Sequence, residues 1–177
     1  MENLSVATFG GGCFWCIEAI IQRLKGIKSV KSGFSGGFIK NPPYREVRTD
    51  RTGHAEVIQV TFDPDIISYH DLVYIFMTSH DPTTLNRQGA DKGTQYRSII
   101  LYHDVEQKEI VQQVFEEIKS LYEDSIVTEL KPFEVFYNAE DDHQNYYNNN
   151  QDAHYCQIVI DPKVQKLKKM YSDKLVD

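Results

Sequence analysis

Long apolar runs and targeting signals are absent from this 177-residue sequence. The longest uninterrupted apolar stretch, residues 72–77, is far shorter than the ~20 residues that span a bilayer. Residues 1–9 have neither the basic start nor the apolar centre of a secretory signal. We therefore expect a chain that has no membrane partner and that resides in the cytoplasm.

Positive charge is also scarce. The chain has 19 Lys and Arg residues against 26 Asp and Glu residues, which gives a net charge of −7. Proteins that bind nucleic acid normally present a basic face to the phosphates, so we expect no nucleic-acid partner. Two short basic clusters, residues 45–51 and 163–169, are interpreted as solvated surface because acidic residues interrupt the first and the second has the pattern of an exposed helix face.

Cysteine is rare and unevenly placed. Cys13, Cys16 and Cys156 are the only cysteines, an odd number that is too small for the disulfide framework of a secreted protein. We expect thiols, metal ligands or redox groups instead. The length suits one domain. Since no repeat or Pro/Gly/Ser-rich linker divides the chain, residues 1–177 are predicted to form a single domain.

Apolar periodicity predicts alternating strands and helices. Strands are predicted at residues 4–9, 27–34, 55–62, 97–102, 131–136 and 155–160. Helices are predicted at residues 13–25, from Ser68, from Asp104, at residues 141–149 and from Pro162. Ser68 and Asp104 each have a capping partner three residues later. Residues 79–95 show no periodicity, and a long irregular segment within a compact domain is often functional. The mixed order predicts a single α/β or α+β sandwich.

The strongest chemical signal lies between Gly10 and Cys16. Three consecutive glycines allow a tight turn from strand into helix and leave Cys13 exposed at the helix entrance. Free backbone amides there favour a thiolate, and such positions lower cysteine pKa values to roughly 3.5–7.5. Cys13 is therefore a candidate nucleophile, and Cys16 follows one helical turn later on the same face. Phe14 and Trp15 are either core residues or the wall of a small apolar pocket.

The residues alone leave other interpretations of these cysteines open. One is a buried, inert thiol. Another is a zinc site, which would have to complete the C-x-x-C pair with Cys156 and either His143 or His154. A third is thioredoxin-like disulfide exchange, although Phe14 and Trp15 are bulky residues for the centre of such a motif.

With these residues, the chain resembles the A-type peptide-methionine sulfoxide reductases, which reduce the S epimer of methionine sulfoxide. The similarity extends in order from about residue 8 to about residue 169, so a chance match is excluded. The matching blocks are residues 12–15 (GCFW), 32–37 (SGFSGG), 41–44 with 51–56 (NPPY and RTGHAE), 80–83 with 93–98 (HDPT and GTQYRS) and 139–146 (AEDDHQNY).

The resemblance implies which residues carry out the chemistry. Cys13 is implied to be the nucleophile that attacks the sulfoxide sulfur. Glu56 is implied to be the acid that hydrogen-bonds or protonates the sulfoxide oxygen, with Tyr44 and Tyr96 as further donors. Breaking the S=O bond requires neutralisation of charge on oxygen, and a carboxylic acid with two phenols can supply it. Glu56 must then be protonated near neutral pH, which partial burial favours by raising its pKa.

The resemblance also implies the surroundings of the nucleophile. Phe14 and Trp15 are implied to line the pocket for the methyl group, and Asp91 to lie near Cys13 as a supporting polar group. His143 is interpreted as a hydrogen-bonded structural residue that packs near the site.

Two cysteines compete for the role of resolving thiol, which would condense with a sulfenic acid on Cys13. Cys16 stands where the family often has glycine, and Cys156 stands where many members carry their resolving cysteine. The segment 157–162 contains the β-branched run 158–160, and residues 155–160 are predicted to be extended, which would hold Cys156 in a strand. We therefore favour Cys16, although a disulfide across one helical turn requires local unwinding. Transfer of a Cys13–Cys16 disulfide to Cys156 is a third route.

The fold implied by the resemblance is a single-domain α+β two-layer sandwich. It has a ferredoxin-like core with a mixed sheet and a wrapping C-terminal segment. The implied enzyme is a monomer without metal or cofactor that reduces free and protein-bound methionine (S)-sulfoxide, with thioredoxin or another reductant recycling the disulfide. The alternatives from other classes are a zinc-stabilised binding module and a general disulfide oxidoreductase.

Overall fold

A six-stranded mixed sheet forms the centre of the computed structural model, which describes residues 3–176. In chain order, the strands are β1 (Ser5–Gly10), β2 (Ile27–Ser35), β3 (Ala55–Phe62), β4 (Arg87–Gln88), β5 (Asp91–Lys92), β6 (Ile99–Tyr102), β7 (Glu129–Pro132) and β8 (Tyr137–Asn138). The order across the sheet is β7-β6-β1-β3-β2-β8, while β4 and β5 form a separate small hairpin. Neighbouring strands of the sheet are antiparallel except for β6 and β7.

The helices connect these strands in a ferredoxin-like order. They are α1 (Phe14–Ile21), α2 (Tyr44–Val47), α3 (Tyr69–Thr78), α4 (Val105–Ile118), α5 (Tyr146–Asn149) and α6 (Asp161–Met170), with a π-helical turn at Cys156–Ile160 and short 3-10 turns elsewhere. The order β1-α1-β2-β3-α3-β6 is the split βαβ arrangement. The predicted α+β class with a mixed sheet is therefore confirmed. Within the described residues, every helix is too short or too polar to cross a bilayer.

The sheet has one thickly covered face and one thinly covered face. Alternate residues of β3, among them Ile58 and Val60, join the helices in one large core. The intervening residues Ala55 and Val57 belong to a small second cluster. Because side chains alternate along a strand, Glu56 shares the face of Ile58 and points towards the helical layer.

The C-terminal part of the chain wraps around α1. β8 pairs with β2, and α5, the π-helical turn and α6 each contact α1. Near the end of the described chain, Leu175 forms a β-bridge with Leu24. This arrangement confirms the predicted wrapping segment and brings residues 143–156 next to the start of α1.

The predicted helix starts at Ser68 and Asp104 are confirmed. The Ser68 hydroxyl accepts a hydrogen bond from the Asp71 amide at 3.0 Å. The Asp104 carboxylate accepts one from the Gln107 amide at 2.8 Å. The first helix is shorter than predicted, because α1 ends at Ile21 rather than near residue 25.

The strand predicted at residues 155–160 is wrong, because Cys156–Ile160 is a π-helical turn that continues into α6. Cys156 and Ile160 are both buried, while Gln157 between them is exposed. Burial thus recurs with a helical rather than an alternating period, and packing against α1 overrides the β-branched composition. Cys156 is therefore not held in a strand, and a strand no longer counts against it as the resolving thiol.

Two other element predictions need correction. The strand predicted at residues 131–136 is only partly present, because β7 ends at Pro132, whose nitrogen has no hydrogen to donate to a ladder. Beyond it, Phe133 and Phe136 pack on the small second cluster. The helix predicted at residues 141–149 is divided into a 3-10 turn and α5 by Asn145, whose φ of 51° is left-handed.

Candidate active site

Cys13 lies at the junction of β1 and α1, as the glycine segment predicted. Gly12 has a φ of +89°, and a Cβ on Gly10 would collide with the Glu56 carbonyl oxygen. Both positions therefore require glycine. Cys13 is the N-cap of α1, and only 7% of its surface is exposed. The turn thus places the Cys13 backbone at the helix entrance but keeps its sulfur largely away from solvent.

Glu56 is a buried carboxyl group directly beside this helix entrance. It is 1% exposed, and its Oε1 accepts a hydrogen bond from the Phe14 amide at 3.1 Å. Its Oε2 is buried and has no hydrogen-bond partner within residues 3–176. Burial, reinforced by the negative charges of Asp91 and Cys16, raises the pKa of Glu56 to about 8. Glu56 is therefore mainly a neutral acid at pH 7, with one oxygen free to act as a donor.

Tyr44 and Tyr96 lie on the two irregular segments that flank the site. Tyr44 is the first residue of α2, and Tyr96 is the last residue of a 3-10 turn. The Tyr96 carbonyl oxygen accepts a hydrogen bond from the Gly12 amide at 3.1 Å. Burial, and after it the charge of Glu56, raises the pKa of Tyr96 to about 12 and raises the pKa of Tyr44 as well. Both phenols are therefore protonated throughout the physiological range and can donate hydrogen bonds.

An aromatic wall stands beside the thiols. The Trp15 indole stacks on Tyr146 with ring centroids 3.8 Å apart, and its Nε1 donates a hydrogen bond to His143 Nδ1 at 3.2 Å. Phe14 is fully buried and lies 6.1 Å from the Tyr44 ring, centroid to centroid. His143 is thus a hydrogen-bonded packing residue next to the site, as its interpretation from the sequence had it.

Cys13 and Cys16 are both buried, and each thiol changes the pKa of the other. Burial and the hydrogen bond that it donates to Cys16 raise the pKa of Cys13. The same hydrogen bond lowers the pKa of Cys16 to about 6, with a contribution from the positive charge of Lys163. The position of Cys13 at the start of a helix predicts a lowered pKa for its thiol. In the structure, the loss of hydration outweighs the α1 amides, so the pKa of Cys13 is raised instead.

Asp91 and Cys156 approach the thiols through Tyr155. Asp91 lies on β5, and its Oδ2 accepts a hydrogen bond from the Tyr155 hydroxyl at 3.3 Å. The same hydroxyl lies 3.5 Å from the Cys16 sulfur. Cys156 follows Tyr155 in the chain and is completely buried, and burial raises its pKa. Tyr155 is a site residue with no signal in the sequence, because residues 155–160 predict a strand rather than the helical turn that brings it to Cys16.

The zinc interpretation has no ligand set to support it. Within residues 3–176, no group of three or more His, Cys, Asp and Glu side chains is arranged to hold a metal ion. His143 accepts the Trp15 indole hydrogen on Nδ1. The arrangement is instead a thiol pair next to a neutral carboxylic acid, two phenols and an aromatic wall.

Comparisons with known proteins agree with each other. A family model described as "Peptide methionine sulfoxide reductase" matches residues 5–175. A protein of Saccharolobus solfataricus described as "Peptide methionine sulfoxide reductase MsrA" is 56% identical over 172 residues, which are 97% of each chain.

Solved structures show the same similarity. Methionine sulfoxide reductase A of Corynebacterium diphtheriae superposes with a TM-score of 0.79 at 34% identity, over 87% of this chain and 78% of that one. Reduced Mxr1 of Saccharomyces cerevisiae gives a TM-score of 0.80 at 32% identity, over 86% of this chain and 89% of that one. A structure of Mxr1 in complex with Trx2 has a TM-score of 0.56 at 24% identity, over 81% and 84%.

Proposed function

Because the chain belongs to the peptide methionine sulfoxide reductase family, and is thus an oxidoreductase that reduces methionine sulfoxide, we propose that it acts on the S epimer, free or within proteins, through a sulfenic acid on Cys13. The preference for the S epimer rests on the resemblance to the A-type enzymes. The intermediate and the roles below rest on the arrangement of the thiols and of Glu56.

The observation that carries the proposal is the free oxygen of Glu56. Its Oε1 is occupied by the Phe14 amide, whereas its Oε2 is buried without a partner in the described chain. Leaving a buried polar atom unpaired costs about 1–3 kcal/mol. A sulfoxide oxygen is a strong acceptor that would supply the missing partner. Since Cys13 immediately precedes Phe14, the sulfoxide sulfur would then lie next to the Cys13 thiol.

The first step transfers oxygen from the substrate to Cys13. The Cys13 proton passes to the Cys16 thiolate, with which it already shares a hydrogen bond, and the Cys13 sulfur attacks the sulfoxide sulfur. Glu56 protonates the sulfoxide oxygen while Tyr44 and Tyr96 donate hydrogen bonds to it. The attack forms a bond between the Cys13 sulfur and the substrate sulfur. The hydroxyl then moves from the substrate sulfur to the Cys13 sulfur while the S–O bond of the substrate and the new S–S bond break, so that methionine leaves, the substrate is reduced and Cys13 is oxidised to a sulfenic acid.

The second step forms a disulfide, for which we propose Cys16 as the partner of Cys13. The two thiols are one helical turn apart and affect each other's pKa, and Cys16 is the more acidic of the two. The Cys16 amide bonds to the Cys13 carbonyl at 3.1 Å, so the disulfide must loosen the first turn of α1. Cys156 competes less well because its sulfur is completely buried and its pKa is raised.

Thioredoxin is the proposed reductant of this disulfide. Support comes from Mxr1, which has been solved in complex with Trx2. We further propose that the enzyme is a cytoplasmic monomer of one domain that needs neither metal nor cofactor.

Chiral chromatography of racemic N-acetyl-methionine sulfoxide tests the reaction. Incubation with the protein and dithiothreitol should consume the S epimer and leave the R epimer intact. Cys13→Ser should abolish the reaction, whereas the matched control Cys156→Ser should retain it because dithiothreitol can reduce a Cys13–Cys16 disulfide. Consumption of both epimers, or substantial activity of Cys13→Ser, would contradict the proposal.

Disulfide mapping after one turnover without reductant tests the resolving thiol. The wild-type protein and Cys156→Ser should both contain a Cys13–Cys16 disulfide. Cys16→Ser should release one methionine per enzyme and retain a sulfenic acid that dimedone traps. A disulfide between Cys13 and Cys156 that forms at the wild-type rate in Cys16→Ser would assign the resolving role to Cys156.

A further inference from the structure

Tyr155 links the Cys16 thiol to Asp91. Its hydroxyl lies 3.5 Å from the Cys16 sulfur and donates a hydrogen bond to Asp91 Oδ2 at 3.3 Å. Its ring is half-buried and meets the Trp15 indole edge-on, with ring centroids 5.8 Å apart. The hydroxyl is therefore held on a packed ring, between a sulfur and a carboxylate.

The single phenolic hydrogen of Tyr155 can serve either neighbour. A carboxylate only accepts hydrogen bonds, whereas a phenol both donates and accepts. When Cys16 holds its proton, the thiol can donate to Tyr155 while Tyr155 donates to Asp91. When Cys16 has lost its proton, rotation of the hydroxyl directs the same hydrogen to the sulfur. Both protonation states of Cys16 thus have a partner without movement of the ring.

Cys13 is the other hydrogen-bond donor to Cys16, and the reaction consumes it. In the reduced site, the Cys13 hydrogen bond is the main cause of the low pKa of Cys16, and Tyr155 adds to it. Once Cys13 carries a hydroxyl group, its thiol hydrogen is gone. Tyr155 belongs to another segment of the chain, so its hydrogen bond to Cys16 survives the oxidation of Cys13.

Resting on the proposed function, in which Cys16 attacks oxidised Cys13, we propose that Tyr155 is the positioning residue for this attack. Its hydroxyl, carried on a ring packed against Trp15, turns its hydrogen from Asp91 to the sulfur and holds Cys16 oriented and ionised after Cys13 has been oxidised. Asp91 then acts on the thiols through Tyr155 rather than by contact with Cys13.

The resolving step balances without an external oxidant. Cys16 first releases to solvent the proton that it accepted from Cys13, and its thiolate then attacks the Cys13 sulfur, so that the S–S bond forms and the S–O bond of the sulfenic acid breaks. The departing hydroxide takes a proton from bulk solvent and leaves as water. The Cys16 sulfur is oxidised and the Cys13 sulfur is reduced, and Tyr155 keeps its own proton overall.

Single-turnover kinetics of Tyr155→Phe without reductant test the inference. Methionine release reports the first step, and loss of the Cys16 thiol, followed by peptide mapping, reports the second. We expect methionine release within about 2-fold of the wild type, disulfide formation slowed about 10-fold by loss of a hydrogen bond to a charged sulfur, and a sulfenic acid that dimedone traps. Tyr122→Phe is the control, because it removes a tyrosine hydroxyl that donates to the Met77 carbonyl outside the site. It should leave both rates unchanged.

A second measurement isolates the effect on Cys16 even if the first step limits turnover. In a Cys13→Ala background, the Cys13 donor is absent, and peptide mapping can follow alkylation of Cys16 against pH. Adding Tyr155→Phe should raise the pH midpoint of this alkylation by about one unit, which is a 10-fold loss of thiolate at neutral pH. A purely structural role would not move this midpoint.

The failures of the two proposals are distinguishable. An unchanged rate of disulfide formation together with an unchanged alkylation midpoint in Tyr155→Phe would overturn the inference. Equal slowing of methionine release and disulfide formation would also overturn it, because it would indicate a general defect. If the wild type releases no methionine, or joins Cys13 to Cys156, then the proposed function is wrong and the inference falls with it.

Discussion

Glu56→Gln removes a transferable proton from the site while it keeps the size and shape of the side chain. A glutamine oxygen can still accept the Phe14 amide, which now bonds to Glu56 Oε1 at 3.1 Å. Its amide group can donate a hydrogen bond to a sulfoxide oxygen but cannot protonate it. Since general acid catalysis typically contributes 10²–10⁴-fold, we expect kcat to fall about 10²–10³-fold.

The same substitution should remove the Glu56 contribution to the loss of stability at rising pH. The folded-state pKa of Glu56, about 8, lies above the ordinary value of 4.5. The folded protein therefore binds this proton more tightly, and stability is lost as pH rises from about 4.5 to about 8. By linkage, ionisation of Glu56 in the unfolded chain costs the fold roughly 1 kcal/mol at pH 5, about 3 kcal/mol at pH 7 and about 4–5 kcal/mol above pH 8. Glutamine is neutral at each of these pH values and carries no such cost.

Urea denaturation at several pH values, combined with steady-state kinetics, measures both effects. Glu56→Gln should be less active than the wild type at every pH and should lack the wild-type decline of activity above pH 8. The difference in unfolding free energy between variant and wild type should move in favour of the variant by roughly 3 kcal/mol between pH 5 and pH 8.

Glu18→Gln is the matched control for Glu56→Gln. Glu18 is also a buried carboxylate, but it accepts the amides of Asn145 and Tyr146 and lies outside the proposed chemistry. The activity of the Glu18→Gln variant should stay near the wild-type value. Near-normal activity of Glu56→Gln, or an unchanged stability difference between pH 5 and pH 8, would refute the assignment of Glu56 as a buried neutral acid.

Three further predictions concern the surroundings of this acid. Tyr96→Phe and Tyr44→Phe should each lower kcat about 10-fold, because each removes one donor to the sulfoxide oxygen. Steady-state kinetics of Tyr96→Phe below pH 10 should show no new pH dependence, because the pKa of Tyr96 is about 12. Gly10→Ala should destabilise the fold by about 1–3 kcal/mol in urea denaturation, because the alanine Cβ would collide with the Glu56 carbonyl oxygen. A stable and active Gly10→Ala variant would contradict the tight approach of β1 to β3. Burial lowers the pKa of His80 to about 4, so this residue should cost the fold about 2 kcal/mol as pH falls from 6.5 towards 4, and His80→Gln should lack that loss in the same assay.

The sequence was informative wherever a local pattern has a local cause. The glycine segment before Cys13 requires a backbone turn that only glycine adopts, and the structure has that turn. The caps at Ser68 and Asp104 satisfy amides within three residues, so they could be predicted from spacing alone. The clean alternation of β3 predicted its bounds at residues 55–62, because neighbours on the two faces of a strand meet different environments.

Glu56 shows both the reach and the limit of such patterns. It shares the parity of the apolar residues Ile58 and Val60, so alternation alone points it towards the core. A charged residue at such a position is rare unless it is paired, and that conflict is a signal of function. The size of its pKa shift depends on the burial that α1 and the site loops create, which no local pattern contains.

The sequence by itself determined the family, the α+β class, the glycine-bounded nucleophile and the set of candidate site residues. These follow from spacing, periodicity and ordered motifs along one segment of chain at a time. Only the tertiary structure decided that the pKa of Cys13 is raised rather than lowered, because burial acts against the helix amides. Only packing against α1 turned residues 156–160 into a helical turn and brought Tyr155 between Cys16 and Asp91. Hydration and the proximity of distant segments set these properties, and both arise only when the chain has folded.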